Sequence, residues 1–201
     1  NPFTIEGKKT VSFEIYDQFN RTLPDMIFVP VGDGVIISGV YKGFEDLLKL
    51  KIINKIPKII AVQSNRSSNF IDNLKTKFWI TKPSDTIADS ISVDIPRNFY
   101  MAKNFIEEYD GEYIKVDDED ILNSSKFLAS STGIFAEPAA CTAFAGMLKY
   151  RENNKFDSNS KILVLLTGSG LKDIKSVSSY IKMPKPIKAD IESISNFLSA
   201  L

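Results

Sequence analysis

The 201-residue chain has no histidine and one cysteine, and its 25 Lys and Arg are balanced by 25 Asp and Glu. The missing histidine removes the commonest general base and the commonest zinc ligand. A lone cysteine, Cys141, cannot form an internal disulfide, which fits a reducing compartment. It lies in an Ala-rich helical stretch, where it reads as a small buried hydrophobe rather than a nucleophile. Zero net charge argues against a nucleic-acid-binding surface. No apolar run approaches the roughly 18–20 residues of a membrane helix, and no signal peptide opens the chain, so no membrane association and a cytoplasmic location are expected. The first residue is Asn1 rather than Met, so an upstream portion is expected to be missing. A 43% hydrophobic content at this length is enough for one sizeable core, and residues 1–201 are read as a single α/β domain.

The most informative stretch is Phe28-Val29-Pro30-Val31-Gly32-Asp33-Gly34-Val35-Ile36-Ile37-Ser38-Gly39. Met26 to Pro30 reads as a buried strand that enters a glycine turn and leaves it as a helix reaching about Leu50. Such a junction puts free N–H groups and a helix N-terminus at the C-terminal edge of a sheet, where an anion is favoured, phosphate above all. The turn is neither a dinucleotide fingerprint, since Ile37 stands where the third glycine would fall, nor a P-loop, since no Gly-Lys-Ser/Thr follows. A tight βα turn with no ligand explains the same glycines.

Along the chain, Asn1 to Gly7 reads as irregular. Lys8 to Phe19 has the helical period of Val11, Ile15 and Phe19. Lys58 to Gln63 is a second strand, and a polar run from Asn65 precedes a helix expected to reach about Phe78. The state of Ile87 to Val93 is not decided by its pattern. A helix over Tyr100 to Tyr109 and a third strand over Gly111 to Val116 follow. Asp117-Asp118-Glu119-Asp120 lacks the glycine and terminal glutamate of a calcium loop; it reads as the acidic start of a helix ending near Ser131, and no metal site is expected. Ala139 to Arg151 is a helix with small residues on one face. Lys161 to Leu166 is the clearest buried strand and runs into a second glycine turn, Thr167-Gly168-Ser169-Gly170. Met183-Pro184-Lys185-Pro186 leads to a terminal helix over Ala189 to Leu201. Alternating strands and helices predict an α/β fold: an open, mostly parallel sheet with helices on both faces, and both glycine turns at strand C-termini, where such sheets place ligands.

Six segments in order carry a resemblance. Asn1-Pro2-Phe3…Glu6-Gly7-Lys8-Lys9-Thr10, Pro30-Val31-Gly32-Asp33-Gly34, Tyr41-Lys42-Gly43-Phe44, Ala61-Val62-Gln63, Gly133-Ile134-Phe135-Ala136-Glu137-Pro138-Ala139 and Leu166-Thr167-Gly168-Ser169-Gly170-Leu171-Lys172-Asp173 resemble the threonine synthase family. The resemblance implies pyridoxal 5′-phosphate as cofactor and the fold shared with the tryptophan synthase β subunit (fold type II). It places cofactor binding on Gly32, Asp33, Gly34, Val35 and Ile36 for the phosphate and on Thr167 for the pyridine nitrogen. The Glu137-Pro138 turn resembles a feature beside the cofactor, with a structural role. The lysine that carries the cofactor lies, in this family, upstream of the Asn-Pro element, so this chain resembles the C-terminal portion of the enzyme, with no catalytic residue of its own. The implied reaction converts O-phospho-L-homoserine and water to L-threonine and phosphate; a homodimer is compatible with it.

Two departures bear on the substrate. Relatives commonly have Gly-Asn-x-Gly-Asn in the loop, whereas Asp33, Val35 and Ile36 interrupt that pattern here, and relatives often have arginine where this chain has Thr4. A serine or threonine dehydratase, or another β-replacement enzyme, is therefore an alternative, and a non-catalytic anion-binding fragment is a second.

Overall fold

A computed structural model of the chain describes residues 1–153, 157, 159–178 and 186–199. Four strands, β1 (Met26–Pro30), β2 (Lys58–Ser64), β3 (Glu112–Val116) and β4 (Ile162–Val164), form one parallel sheet in the order β3-β2-β1-β4. The period of two decides what each face buries. Ile27, Val29, Val31, Ile59 and Ala61 point into one core with helices α3 (Val35–Lys49) and α5 (Phe99–Glu108). Phe28, Ile60 and Val62 point into the other, under α6 (Asp118–Thr132) and α7 (Pro138–Asn153). The two central strands are buried on both faces, which is why their sequences are continuous apolar runs instead of alternating ones. The open parallel sheet flanked by helices is as the sequence predicts.

Small residues set the interhelical and helix–sheet distances. The Ala139, Ala140, Ala143 and Gly146 side of α7 lies against β2, where a Cβ at Gly146 would stand 2.5 Å from Val62 Cγ1. Cys141 is fully buried in this helix, and burial pushes its thiol pKa up, which fits a packing role. The acidic run caps α6: Asp120 Oδ2 accepts from the Asp117 N–H at 3.1 Å. No cluster of three or more potential metal ligands occurs among the described residues. No helix among them is long and apolar enough to cross a membrane.

Three expectations need correction, and one undecided stretch, Ile87 to Val93, is settled. Asn1 to Gly7 is not irregular: Pro2–Lys8 is a helix, α1, followed by α2 (Thr10–Gln18). Asn1 Oδ1 accepts from the Phe3 N–H at 3.0 Å, and Pro2 supplies the fixed φ suited to a first turn. That cap-and-proline signal outranks the weak apolar period of a helix burying only Ile5. The helix expected to reach Phe78 stops at Asn73, as the short α4 (Asn69–Asn73). Its two asparagine side chains grip the returning backbone: Asn69 bonds the carbonyl and N–H of Lys82 at 2.7 and 2.8 Å, and Asn73 those of Ile80, both at 2.8 Å. Ile87 to Val93 is irregular apart from a 3₁₀ turn at Asp89–Ile91. Lys161 to Leu166 is only a three-residue strand and is half-buried, because β4 is an edge with one partner among the described residues.

At the C-terminus the structure describes short helices α8 (Ile174–Ser178) and α9 (Ile191–Ser199). Met183, Pro184 and Lys185, and the end of the expected helix at Ala200 and Leu201, lie outside the described residues.

The segment from Leu74 to Pro96 crosses the C-terminal edge as a strap tied down by polar side chains. Asp118 accepts from Ser64 Oγ and Thr86 Oγ1, both at 2.6 Å, and from the Ile87 N–H at 3.0 Å. Asp72 accepts from Lys115 and Lys82 at 2.8 Å and from Ser68 at 3.0 Å. Partial burial raises the Asp72 pKa, but the two ammoniums and the hydroxyl overcome it and hold the carboxyl at about 2. A carboxyl depressed in the folded state stabilises fully above its unfolded pKa of about 3.9, and that contribution is lost as the pH falls toward 2. Asp72→Asn should therefore cost about 1–2 kcal/mol at neutral pH, allowing for screening at the exposed Lys82, and almost nothing near pH 2. Urea unfolding of both proteins at the two pH values measures the difference.

Two glycines of the α1–α3 region give opposite expectations. A Cβ at Gly43 would overlap the Lys9 carbonyl oxygen and stand 2.7 Å from Ser12 Cβ, whereas one at Gly7 meets nothing within 4 Å. Gly43→Ala should destabilise by about 1–3 kcal/mol through forced separation of α2 and α3. Gly7→Ala, within α1, should stabilise by about 0.5–1 kcal/mol. Both are read from urea midpoints at constant m-value.

Candidate functional site

The turn from β1 to α3 is built so that the Asp33 and Gly34 oxygens are occupied and its amides are not. Gly34 adopts φ 84° as the residue before α3, a left-handed conformation that favours glycine. The approach to α5 then takes up the acceptors of this turn. The Asn98 N–H donates to the Asp33 carbonyl at 3.1 Å, and the Asn98 side chain donates to the Gly34 carbonyl at 3.1 Å and to Ser38 Oγ at 2.6 Å. Asp33 directs its carboxylate to the Arg97 N–H at 3.1 Å. By contrast, the N–H groups of Gly32, Asp33, Gly34, Val35, Ile36 and Ile37 have no hydrogen-bond partner among the described residues; the next amide, Ser38, bonds the Gly34 carbonyl at 3.1 Å. Six successive free amides at the head of a 15-residue helix form a positive concavity suited to an anion.

A cleft of about 180 Å³ opens on this turn, walled by the loop, Lys8, Ser90, Ile91 and Val93. The strap comes so close that a Cβ at Gly32 would stand 3.0 Å from Ile91 Cα. A wider cleft of about 750 Å³ lies between the strap and the second glycine turn, walled in part by Thr86, Asp89, Glu137 and Lys172, and Ser90 borders both.

The second turn follows β4. Leu165 N–H donates to the Phe28 carbonyl at 3.0 Å, and continuing the register of Phe28 with Val164 sets Thr167 level with Val31, one strand away. Thr167 is exposed at the same C-terminal edge as Gly32 to Ile36. Behind it, the Glu137 N–H donates to the Gly168 carbonyl at 3.1 Å and the Gly170 N–H to the Phe135 carbonyl at 2.9 Å. The Glu137 carboxylate fills the space a Gly168 Cβ would take and lies 3.4 Å from Lys172 Nζ. Glu137 is thus a buried support of the turn.

The sheet therefore brings Gly32, Asp33, Gly34, Val35, Ile36 and Thr167 to one edge. Residue types alone did not point to Asn98, Arg97, Ser90, Ile91 or Lys8 at this site; the one usable signal was the Pro96-x-Asn98 break before α5.

An open parallel α/β sheet with glycine turns and free amides at its carboxyl edge defines a class: proteins that seat an anionic ligand at strand C-termini. A family model described as pyridoxal-phosphate dependent enzyme matches residues 1–168, and the chain belongs to that family. It is 34% identical to a threonine synthase of Methanocaldococcus jannaschii, over 100% of this chain and 50% of that protein. It is 33% identical to a threonine synthase of Methanosarcina acetivorans, over 96% of this chain and 49% of that one. The chain thus spans about half the length of the curated relatives it matches. Among solved structures, the processed form of threonine deaminase isoform 2 from Solanum lycopersicum superposes with a TM-score of 0.73 at 23% identity, covering 91% of this chain and 51% of that one. A fungal L-serine ammonia-lyase from Rhizomucor miehei gives 0.74 at 20% identity, covering 88% and 55%. These two likenesses concern the fold.

Gly34→Ala should disturb the site directly. The left-handed backbone costs a non-glycine residue about 1–2 kcal/mol, and the new methyl would stand 3.2 Å from Ala102 Cβ and 3.3 Å from the Asn98 carbonyl oxygen. A urea midpoint lowered by that amount is expected.

Proposed function

We propose that this chain is the cofactor-binding part of an enzyme that converts O-phospho-L-homoserine and water to L-threonine and phosphate. The observation that carries the reading is the row of unpaired amides from Gly32 to Ile37 in a chain of the pyridoxal-phosphate-dependent family. The residues present fit the phosphate of that cofactor: backbone donors converge on an open cleft, and the one carboxylate of the loop is engaged elsewhere.

Bound pyridoxal phosphate supplies an electron sink for charge that develops on the substrate's carbon atoms. The loop amides of Gly32 to Ile36 would hold its phosphate without reorganising, since their geometry is set by Gly34 and Asn98. Asp33, held by the Arg97 N–H, keeps its charge from closing on the phosphate oxygens. Thr167 would donate a hydrogen bond from its hydroxyl to the ring nitrogen. A hydroxyl does not force that nitrogen to protonate as a carboxylate partner would, so the ring stays a milder sink, suited to elimination and replacement more than to transamination. Glu137 and Lys172 position the turn that presents Thr167. None of this chain's lysines is assigned to carry the cofactor; that group is assigned to the portion of the enzyme beyond this chain.

The loop itself supports a second reading. Val35 and Ile36 offer a substrate only backbone amides, where side-chain amides would add specificity for a second phosphate. That favours a dehydratase acting on serine or threonine.

Steady-state assay of the full-length protein with O-phospho-L-homoserine, L-serine and L-threonine separates the two. Release of phosphate with formation of threonine is expected; 2-oxo acid from serine or threonine, without turnover of phosphohomoserine, would replace this reading with the second. In the active enzyme, Thr167→Val should weaken cofactor binding by about 1 kcal/mol and lower turnover by more. Unchanged affinity and unchanged rate would remove Thr167 from the site.

A further inference from the structure

Among the described residues, Lys8 is the only cation bordering the cleft at the free amides, and Asp33 is the only other charged residue there. The surrounding charges make this position unusual. Lys9 is tied to Glu6 at 2.6 Å and to Asp46 at 2.8 Å. Lys42 lies 3.3 Å from Glu6 and 3.7 Å from Asp46. Lys8 has no carboxylate within ion-pair distance among the described residues. Lys8 is exposed, but its backbone and Cβ are fixed, because α1 packs on α3 at this residue: a Cβ at Gly39 would stand 2.7 Å from Lys8 Cβ and 3.0 Å from its carbonyl carbon. Thr4, one turn earlier on the same side of α1, carries no charge.

We propose that Lys8 is the counter-charge to a phosphate monoester held at the Gly32–Ile37 amides, an inference that rests on reading this loop as a phosphate cradle. A phosphate monoester carries close to two negative charges at neutral pH. The head of a helix offers about half a positive charge, and the carboxylate of the loop subtracts from it even when turned aside. An ammonium on a helix clamped beside the amides makes up part of the deficit, and its lack of an internal carboxylate leaves it available. The cofactor and a phosphorylated substrate offer the same chemistry, and the two are distinguished by measurement.

The test uses the full-length protein, unmodified and as Lys8→Gln and Lys8→Arg. Three quantities are compared: the Kd of the cofactor-free protein for pyridoxal phosphate, its Kd for pyridoxal, and KM and kcat for O-phospho-L-homoserine. Lys8→Gln should raise either the Kd for pyridoxal phosphate or the KM about tenfold, which is about 1.4 kcal/mol. Lys8→Arg should restore most of it, and the Kd for pyridoxal, which has no phosphate, should not move. A rise in the first assigns Lys8 to the cofactor's phosphate; a rise in KM at constant kcat and constant cofactor affinity assigns it to the substrate's. Both values unchanged, or pyridoxal binding weakened in parallel, would overturn the role of Lys8 while leaving the cradle intact. An unmodified protein that bound neither phosphate compound would end the cradle reading and Lys8's role with it.

Discussion

The site depends on how the acceptors of the β1–α3 turn are satisfied. Buried backbone groups must find partners, and a turn closed on itself would spend its amides on its own oxygens. Here Arg97 and Asn98 take the Asp33 carboxylate, the Asp33 carbonyl and the Gly34 carbonyl. The amides of Gly32 to Ile37 are therefore left over, at the positive end of a long helix. The proposed anion binding would rest on that division of labour between N–H and C=O groups, with little part for the side chains of Val35 and Ile36.

That turn is held where it is by close approach on both of its sides. Glycines at 39 and 43 let α1 and α2 lie directly on α3, and Gly32 lets the strap pass against the loop at Ile91. Added methyls at these positions would meet backbone atoms, which cannot move aside as a flexible side chain can. The result is a rigid wall of cleft in which Lys8, Ser90 and the free amides face the same space.

The strap solves a different problem. It is a long irregular segment with its own polar backbone, crossing the C-terminal edge of the sheet. Asn69, Asn73 and Asp118 satisfy and anchor that backbone through their side chains, in place of a further strand, and Asp72 holds the Lys82 side chain. Because Asp72 is a carboxylate held well below its usual range by two ammoniums, the strap's attachment at Lys82 is coupled to acid pH, whereas the sheet beneath it is held by apolar burial.

The sequence alone determined the elements whose signal is local or strongly periodic. The apolar runs of β1 and β2, the amphipathic α3 and the small-residue face of α7 lie where their patterns put them, because strands buried on both faces leave continuous hydrophobic runs and close-packed helices leave small residues. The glycine turn at Gly32 to Gly34 was equally legible, as was the acidic start of α6. Tertiary structure decided the rest. α1 has one buried residue and little period; its cap and its contact with α3 define it. α4 ends at Asn73 because asparagine side chains grip backbone seven to thirteen residues further on, a partnership that no window of local sequence contains. β4 reads as a core strand yet is half-buried, since it is an edge with one partner among the described residues. The convergence of Lys8, Asn98 and Thr167 on the Gly32 turn joins residues up to 159 positions apart, from Thr167 back to Lys8. Only the parallel register of β1 with β4, and the packing of α1 and α5 against α3, put them at one edge.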